Sequence, residues 1–128
     1  MSRTETWLIE AEADLETAGI LFAAGRYNAC AFYCQQGAGK AVKALLFALH
    51  EAPWGHSVTE LLEKASSAGR EIPGHLVEQA RELDMHYIPA RYPDALPAGT
   101  PSGHYTKAMG ERALKCATEI LSFVKAQL

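Results

Sequence analysis

The segment from Tyr27 to about His50 most constrains what this chain can fold into, because as a helix it is apolar over most of its circumference. Ala29, Phe32, Tyr33, Ala41, Val42, Leu45, Leu46 and Leu49 leave little of it suited to water. Such a helix belongs at the centre of a bundle or in a subunit interface. The flanking segments carry the same 3.6-residue signature. Trp7, Ala11, Leu15, Ala18 and Phe22 form a stripe at steps of three and four, with Thr4 as its predicted cap and Gly25 closing it. Ser57-Val-Thr-Glu60 reads as a capping box opening a short helix with Val58, Leu61, Leu62 and Ala65. Pro73-Gly74 restarts the chain into a helix marked by Leu76, Ala80 and Leu83 and ending near His86. From Tyr87 to Gly103 four prolines interrupt all periodicity, which predicts a long loop, and loops of that length are often functional. A last helix follows from about His104, carrying Met109, Ala113, Ala117, Ile120, Leu121 and Val124. No strand alternation and no internal repeat appears. The expected fold is all-α: an antiparallel up-and-down bundle of four to five helices with a Pro-rich loop before the last.

A chain of 128 residues suits one domain, residues 1–128, and 48% hydrophobic against 21% charged residues is an ordinary globular mix. A net charge of −3 argues against non-specific coating of nucleic acid. The longest apolar run, Ala44–Leu49, falls far short of the roughly 20 residues that span a bilayer, and Glu5 and Glu10 interrupt any signal peptide. The three cysteines form no disulfide framework. The expectation is reduced thiols in a cytoplasmic protein.

Two motifs fail on inspection. Gly37-Ala-Gly39-Lys40 resembles a phosphate-binding loop, but Cys34 stands where the first glycine belongs and Ala41 where the hydroxyl belongs. Its glycines are expected to let a neighbouring helix approach closely. Cys30 and Cys34, one helical turn apart, supply two of the four ligands a tetrahedral metal site needs, so buried thiols are the better reading and no metal is expected. The remaining cluster, Arg81 to Ala95, holds two arginines, a histidine, two tyrosines and acidic groups. On a regular helix Arg81 and His86 would lie about 140° apart. Histidine can move the proton of a ribose 2′-OH or of a leaving oxygen, and a guanidinium can hold charge on a phosphorane. Tyr87 and Tyr92 offer stacking faces. The same residues also permit a purely structural role, with the tyrosines pinning the loop and Arg91 tied to Asp94 or Asp84.

Taken together these strings resemble the HEPN domain family, small helical bundles often encoded beside a minimal nucleotidyltransferase. The resemblance spans nearly the whole chain. It rests on Trp7, Ala11-x-x-Asp14-Leu15, Gly25-x-Tyr27, Phe32-Tyr33-Cys34-Gln35-Gln36 and Lys40-Ala41-x-Lys43-Ala44-Leu45-Leu46. His56-Ser57 and Leu61-Leu62 add to it, and Leu83-Asp84-x-His86-Tyr87-Ile88-Pro89-x-Arg91-Tyr92-Pro93-Asp94-Ala95 is the most specific string. Membership implies a homodimer that takes nucleotide or RNA, without cofactor or DNA-specific contact, and acts beside a nucleotidyltransferase in a toxin–antitoxin or defence pair. Many relatives cleave RNA without metal through an Arg-x(4–6)-His motif. Arg81 and His86 match that motif and are the expected catalytic pair. The same spacing recurs at Arg70 and His75, and position in the family pattern selects the former. Tyr87, Arg91, Tyr92 and Asp94, with Gln36 and Lys40 on the second helix, are the expected nucleotide-binding residues. The rival expectation is a non-catalytic module for dimerisation or partner docking.

Overall fold

A computed structural model describes residues 1–128, all of them helix, turn or connection. Six helices follow in order: α1 (Arg3–Ala23), α2 (Tyr27–Ala48), α3 (Val58–Ser67), α4 (Gly74–Asp84), α5 (Pro101–His104) and α6 (Lys107–Gln127). The chain is all-α, as its periodicity predicts, and α2 lies at the centre in contact with every other helix. That placement follows from its composition. Cys34, Ala38, Ala41, Val42, Leu45 and Leu46 are fully buried, leaving α2 no apolar face to spare.

Ser2, not Thr4, caps α1: its hydroxyl accepts the Glu5 N–H at 3.1 Å, and Thr4 lies inside the helix. At the other end Gly25 takes φ +76°, the left-handed region that an L side chain resists. The Gly25 N–H then reaches Phe22 O and the Arg26 N–H reaches Leu21 O at 2.8 Å, a Schellman closure that turns the chain directly into α2. Between α1 and α2 the two glycines differ. A Cβ on Gly37 would stand 2.9 Å from Leu15 Cδ2 and 3.2 Å from Ala11 O, whereas one on Gly39 would meet only Val58 Cγ2 at 3.9 Å. The expected close approach therefore happens at Gly37 alone. Cys30 and Cys34 are fully buried free thiols one turn apart on α2.

The segment expected to be a loop from Tyr87 to Gly103 is more structured than its prolines suggest. It contains a 3-10 turn at Pro93–Ala95 and the single turn of α5, capped by Thr100. Pro at the first position suits a short helix, since its missing N–H has no partner there anyway. Thr106 caps α6, so the last helix begins at Lys107, later than the periodicity alone predicts. The segment is tied to the core where Asn28 Nδ2 donates to Ala90 O at 3.1 Å, beside the buried Ala90 side chain. No helix is long and apolar enough to cross a membrane.

Candidate functional site

Asp84 organises the region around both clusters of expected site residues. As the last residue of α4, its carboxylate meets the N-terminus of α3: Oδ1 accepts from Val58 N at 2.8 Å, and Oδ2 accepts from Thr59 N at 3.0 Å and Ser57 Oγ at 2.9 Å. Ser57 Oγ in turn accepts the Glu60 N–H as the capping box predicts, while the Glu60 carboxylate makes no return bond and Asp84 takes the Val58 and Thr59 amides from another helix. Orphan amides at a helix start favour a carboxylate both as acceptor and as negative charge. Gln35, only 1% exposed, ties α2 into the same knot through His56 O at 2.7 Å and Asp84 Oδ1 at 3.2 Å.

Regular winding of α4 stops at Asp84, and the next residues turn more tightly, with His86 N donating to Leu83 O and Tyr87 N to Asp84 O. The 140° separation of a continuous helix therefore does not apply. Arg81 and His86 line one groove of about 470 Å³ between α4 and α6, together with Glu82, Met85, Met109 and Arg112. Arg81 is exposed and makes no ion pair. Glu82 is gripped through both oxygens by Arg112, at 2.7 and 3.0 Å, which lowers its pKa. Arg112 is thus occupied, and Arg81 is the free guanidinium of the groove. His86, half-buried, has Nδ1 2.7 Å from the hydroxyl of Tyr105, and Nε2 has no hydrogen-bond partner in the protein. Burial lowers the His86 pKa, partly opposed by the Glu82 charge. Burial thus favours the neutral imidazole, whose bare ring nitrogen accepts a hydrogen bond and whose protonated one donates.

The expected nucleotide-binding residues lie elsewhere and divide between two places. Gln36 and Lys40 line a second cleft of about 210 Å³ with Trp7, Lys43 and His56. There Lys40 is paired to Asp14 at 2.9 Å, while Lys43 stands 5.3 Å over the Trp7 ring without a carboxylate partner. Burial, then the charges of Lys40 and Lys64, lowers the Lys43 pKa. Tyr87 stacks on His56 from the loop side, with ring centroids 5.2 Å apart. Arg91 pairs with neither Asp94 nor Asp84. Its guanidinium sits 4.5, 4.8 and 5.0 Å from the rings of Phe32, Tyr87 and Tyr92, and its Nε donates to Tyr87 O. Both suggested carboxylate partners are thereby corrected: Asp84 is committed to α3, and Asp94 is exposed and in no ion pair. Tyr105, Arg112, Lys43 and His56 were not among the expected residues. No local signal marks Tyr105 or Arg112, which reach the groove from beyond the irregular segment, whereas Lys43 shares a helix face with Lys40 and was readable.

Comparison with known proteins agrees with this architecture. The solved structure of TT1696 from Thermus thermophilus matches with a TM-score of 0.95 and 41% identity over 100% of both chains. That of ST0689, described as an archaeal HEPN homologue, matches with a TM-score of 0.84 and 38% identity over 99% of this chain and 98% of the other. An HEPN domain protein from Thermotoga maritima matches at 0.78 and 36% identity, over 95% and 96%. In sequence the chain is 29% identical over 123 residues to the Methanocaldococcus jannaschii protein named "Putative toxin MJ1304", covering 90% of this chain and 81% of that one. The HEPN domain model matches residues 4–127, so the chain belongs to the HEPN domain family.

Proposed function

We propose that this chain is an RNA-binding HEPN module that dimerises, acts as the toxin-like half of a pair with a minimal nucleotidyltransferase, and cleaves RNA without a metal through Arg81 and His86. One observation carries the reading: an imidazole with one ring nitrogen free of protein partners and an unpaired guanidinium line the same groove. In cleavage by the ribose 2′-OH, the oxygen attacks phosphorus, its proton leaves, and the 5′-oxygen departs with a proton, giving a 2′,3′-cyclic phosphate. Arg81 suits the charge that grows on the non-bridging oxygens, and His86 suits one of the proton or hydrogen-bond positions. The similarity to a protein named as a toxin supports the biological setting.

The test is incubation with a mixed RNA pool in chelator, beside Arg81→Ala and His86→Ala. Cleavage by the wild type alone, with cyclic-phosphate ends, is the expected result. Equal cleavage by all three, or by none, refutes the catalytic assignment.

A second reading has its own observation. The cleft of Gln36, Lys40 and Lys43 is separate from the groove and contains an ammonium without a carboxylate partner, which suits the phosphate of a nucleotide. Nucleotide binding there would raise the melting temperature of the wild type and not of Lys43→Ala, since ligand at about 100 times its Kd adds about 2.7 kcal/mol of stability. Identical melting of both with ATP or GTP removes this reading.

A further inference from the structure

We propose that Tyr105 is a positioning residue that fixes the proton of neutral His86 on Nε2, so that His86 offers the groove an N–H donor rather than a lone pair. The structural claim stands by itself, and its catalytic consequence rests on the RNA-cleaving reading given above.

Hydrogen-bond partners decide which ring nitrogen carries the proton. Tyr105 is 6% exposed, and its hydroxyl has one hydrogen-bond partner, His86 Nδ1 at 2.7 Å. Two arrangements fit that distance. If the hydroxyl donates to Nδ1, its proton is satisfied, and the imidazole carries its own proton on Nε2, where solvent or ligand accepts it. If Nδ1–H donates to the hydroxyl instead, the phenolic proton has no acceptor among its neighbours. A buried donor without an acceptor is the costlier state, so the first arrangement prevails. The other groups facing the imidazole leave Nδ1 to Tyr105: Glu82 is held through both oxygens by Arg112, and Arg81 lines the groove without a hydrogen bond to the ring.

The consequence separates two roles that residue type alone cannot. Neutral His86 in this tautomer cannot accept the 2′-OH proton, because Nε2 already carries one and Nδ1 is engaged. It can donate a hydrogen bond to a phosphate oxygen or to the departing 5′-oxygen. Solvent water in the groove then receives the 2′-OH proton, and water returns one to the departing 5′-oxygen, so that His86 changes no protonation state.

Long-range proton–nitrogen correlation spectra of the 15N-labelled protein at neutral pH test this without any assay of activity. The expected wild-type spectrum has a protonated, pyrrole-like Nε2 and a bare, pyridine-like Nδ1. Tyr105→Phe should move the Nδ1 resonance and admit the other tautomer. A protonated Nδ1 in the wild type overturns the proposal, as do ring-nitrogen shifts unchanged by Tyr105→Phe. In the cleavage assay His86→Gln, whose amide places an N–H near Nε2, should retain activity that His86→Asn loses. Equal loss in both overturns the donor role. A wild type that cleaves no RNA refutes the function proposed above, while the spectra still decide the tautomer.

Discussion

Replacing Asp84 should unseat α3 from α4, and the size of the effect follows from its bonds. The carboxylate accepts from Val58 N, Thr59 N, Ser57 Oγ and Gln35 Nε2. Asp84→Ala removes all four acceptor interactions together. Loss of a helix cap costs about 0.5–2 kcal/mol, and a buried donor left unsatisfied costs about 1–3 kcal/mol. Val58 and Gln35 are almost fully buried, whereas Ser57 and Thr59 are half-buried and their groups can turn to water. The expected total is therefore about 3 kcal/mol rather than the sum of four full penalties. For a chain of 128 residues this corresponds to a fall in Tm of about 10–15 °C. Asp84→Asn keeps one acceptor oxygen but turns an amide toward donors, so about 1–2 kcal/mol is expected. Urea unfolding followed by circular dichroism measures both, with an unchanged m-value indicating that the unfolded reference has not shifted. Asp84→Ala within about 0.5 kcal/mol of the wild type would match an ordinary surface change and refute the reasoning.

The two glycines of α2 should respond in opposite directions to alanine. Gly37→Ala forces a Cβ against Ala11 O and Leu15 and should cost about 1–2 kcal/mol, while Gly39→Ala has room and should gain up to about 1 kcal/mol of helix propensity. Equal denaturation midpoints for the two variants would contradict the packing described. Because burial holds the His86 pKa below 6.5, the folded state binds fewer protons than the unfolded chain in mildly acid solution. This contribution to stability is present above pH 6.5 and is lost as pH falls through the lower folded value. His86→Gln should therefore lose less stability than the wild type between about pH 7.5 and 5, and parallel curves would refute the assignment. Arg91→Ala should weaken the loop's attachment by about 0.5–2 kcal/mol through loss of the three ring contacts, with Arg91→Lys recovering part of it. Unchanged hydrogen-exchange protection of the 85–92 amides in Arg91→Ala would argue against that anchoring role.

Much of this protein is determined locally and is therefore legible in its sequence. The apolar circumference of α2 dictates a central helix, because no other placement hides Val42, Leu45 and Leu46 from water. Gly25, Ser57 and Pro73 punctuate the helices through backbone preferences that act within a few residues. Helix α1 shows the limit of such reasoning. Ser2 and Thr4 are both competent caps, and the bond to the Glu5 amide selects the earlier one. What tertiary structure decides is which side chains share a place. Sequence spacing puts Arg81 and His86 on different faces, yet the stop at Asp84, anchored from α3, brings them to one groove. Gln36 and Lys40, which the family resemblance placed with Tyr87, Arg91, Tyr92 and Asp94 as nucleotide-binding residues, line a separate cleft. Tyr105 reaches His86 from 19 positions away in the chain, and Arg112 reaches Glu82 from 30. Periodicity measures burial, which each segment reports on its own. Hydrogen bonds need atoms within about 3 Å, and that proximity is set only when the helices have packed.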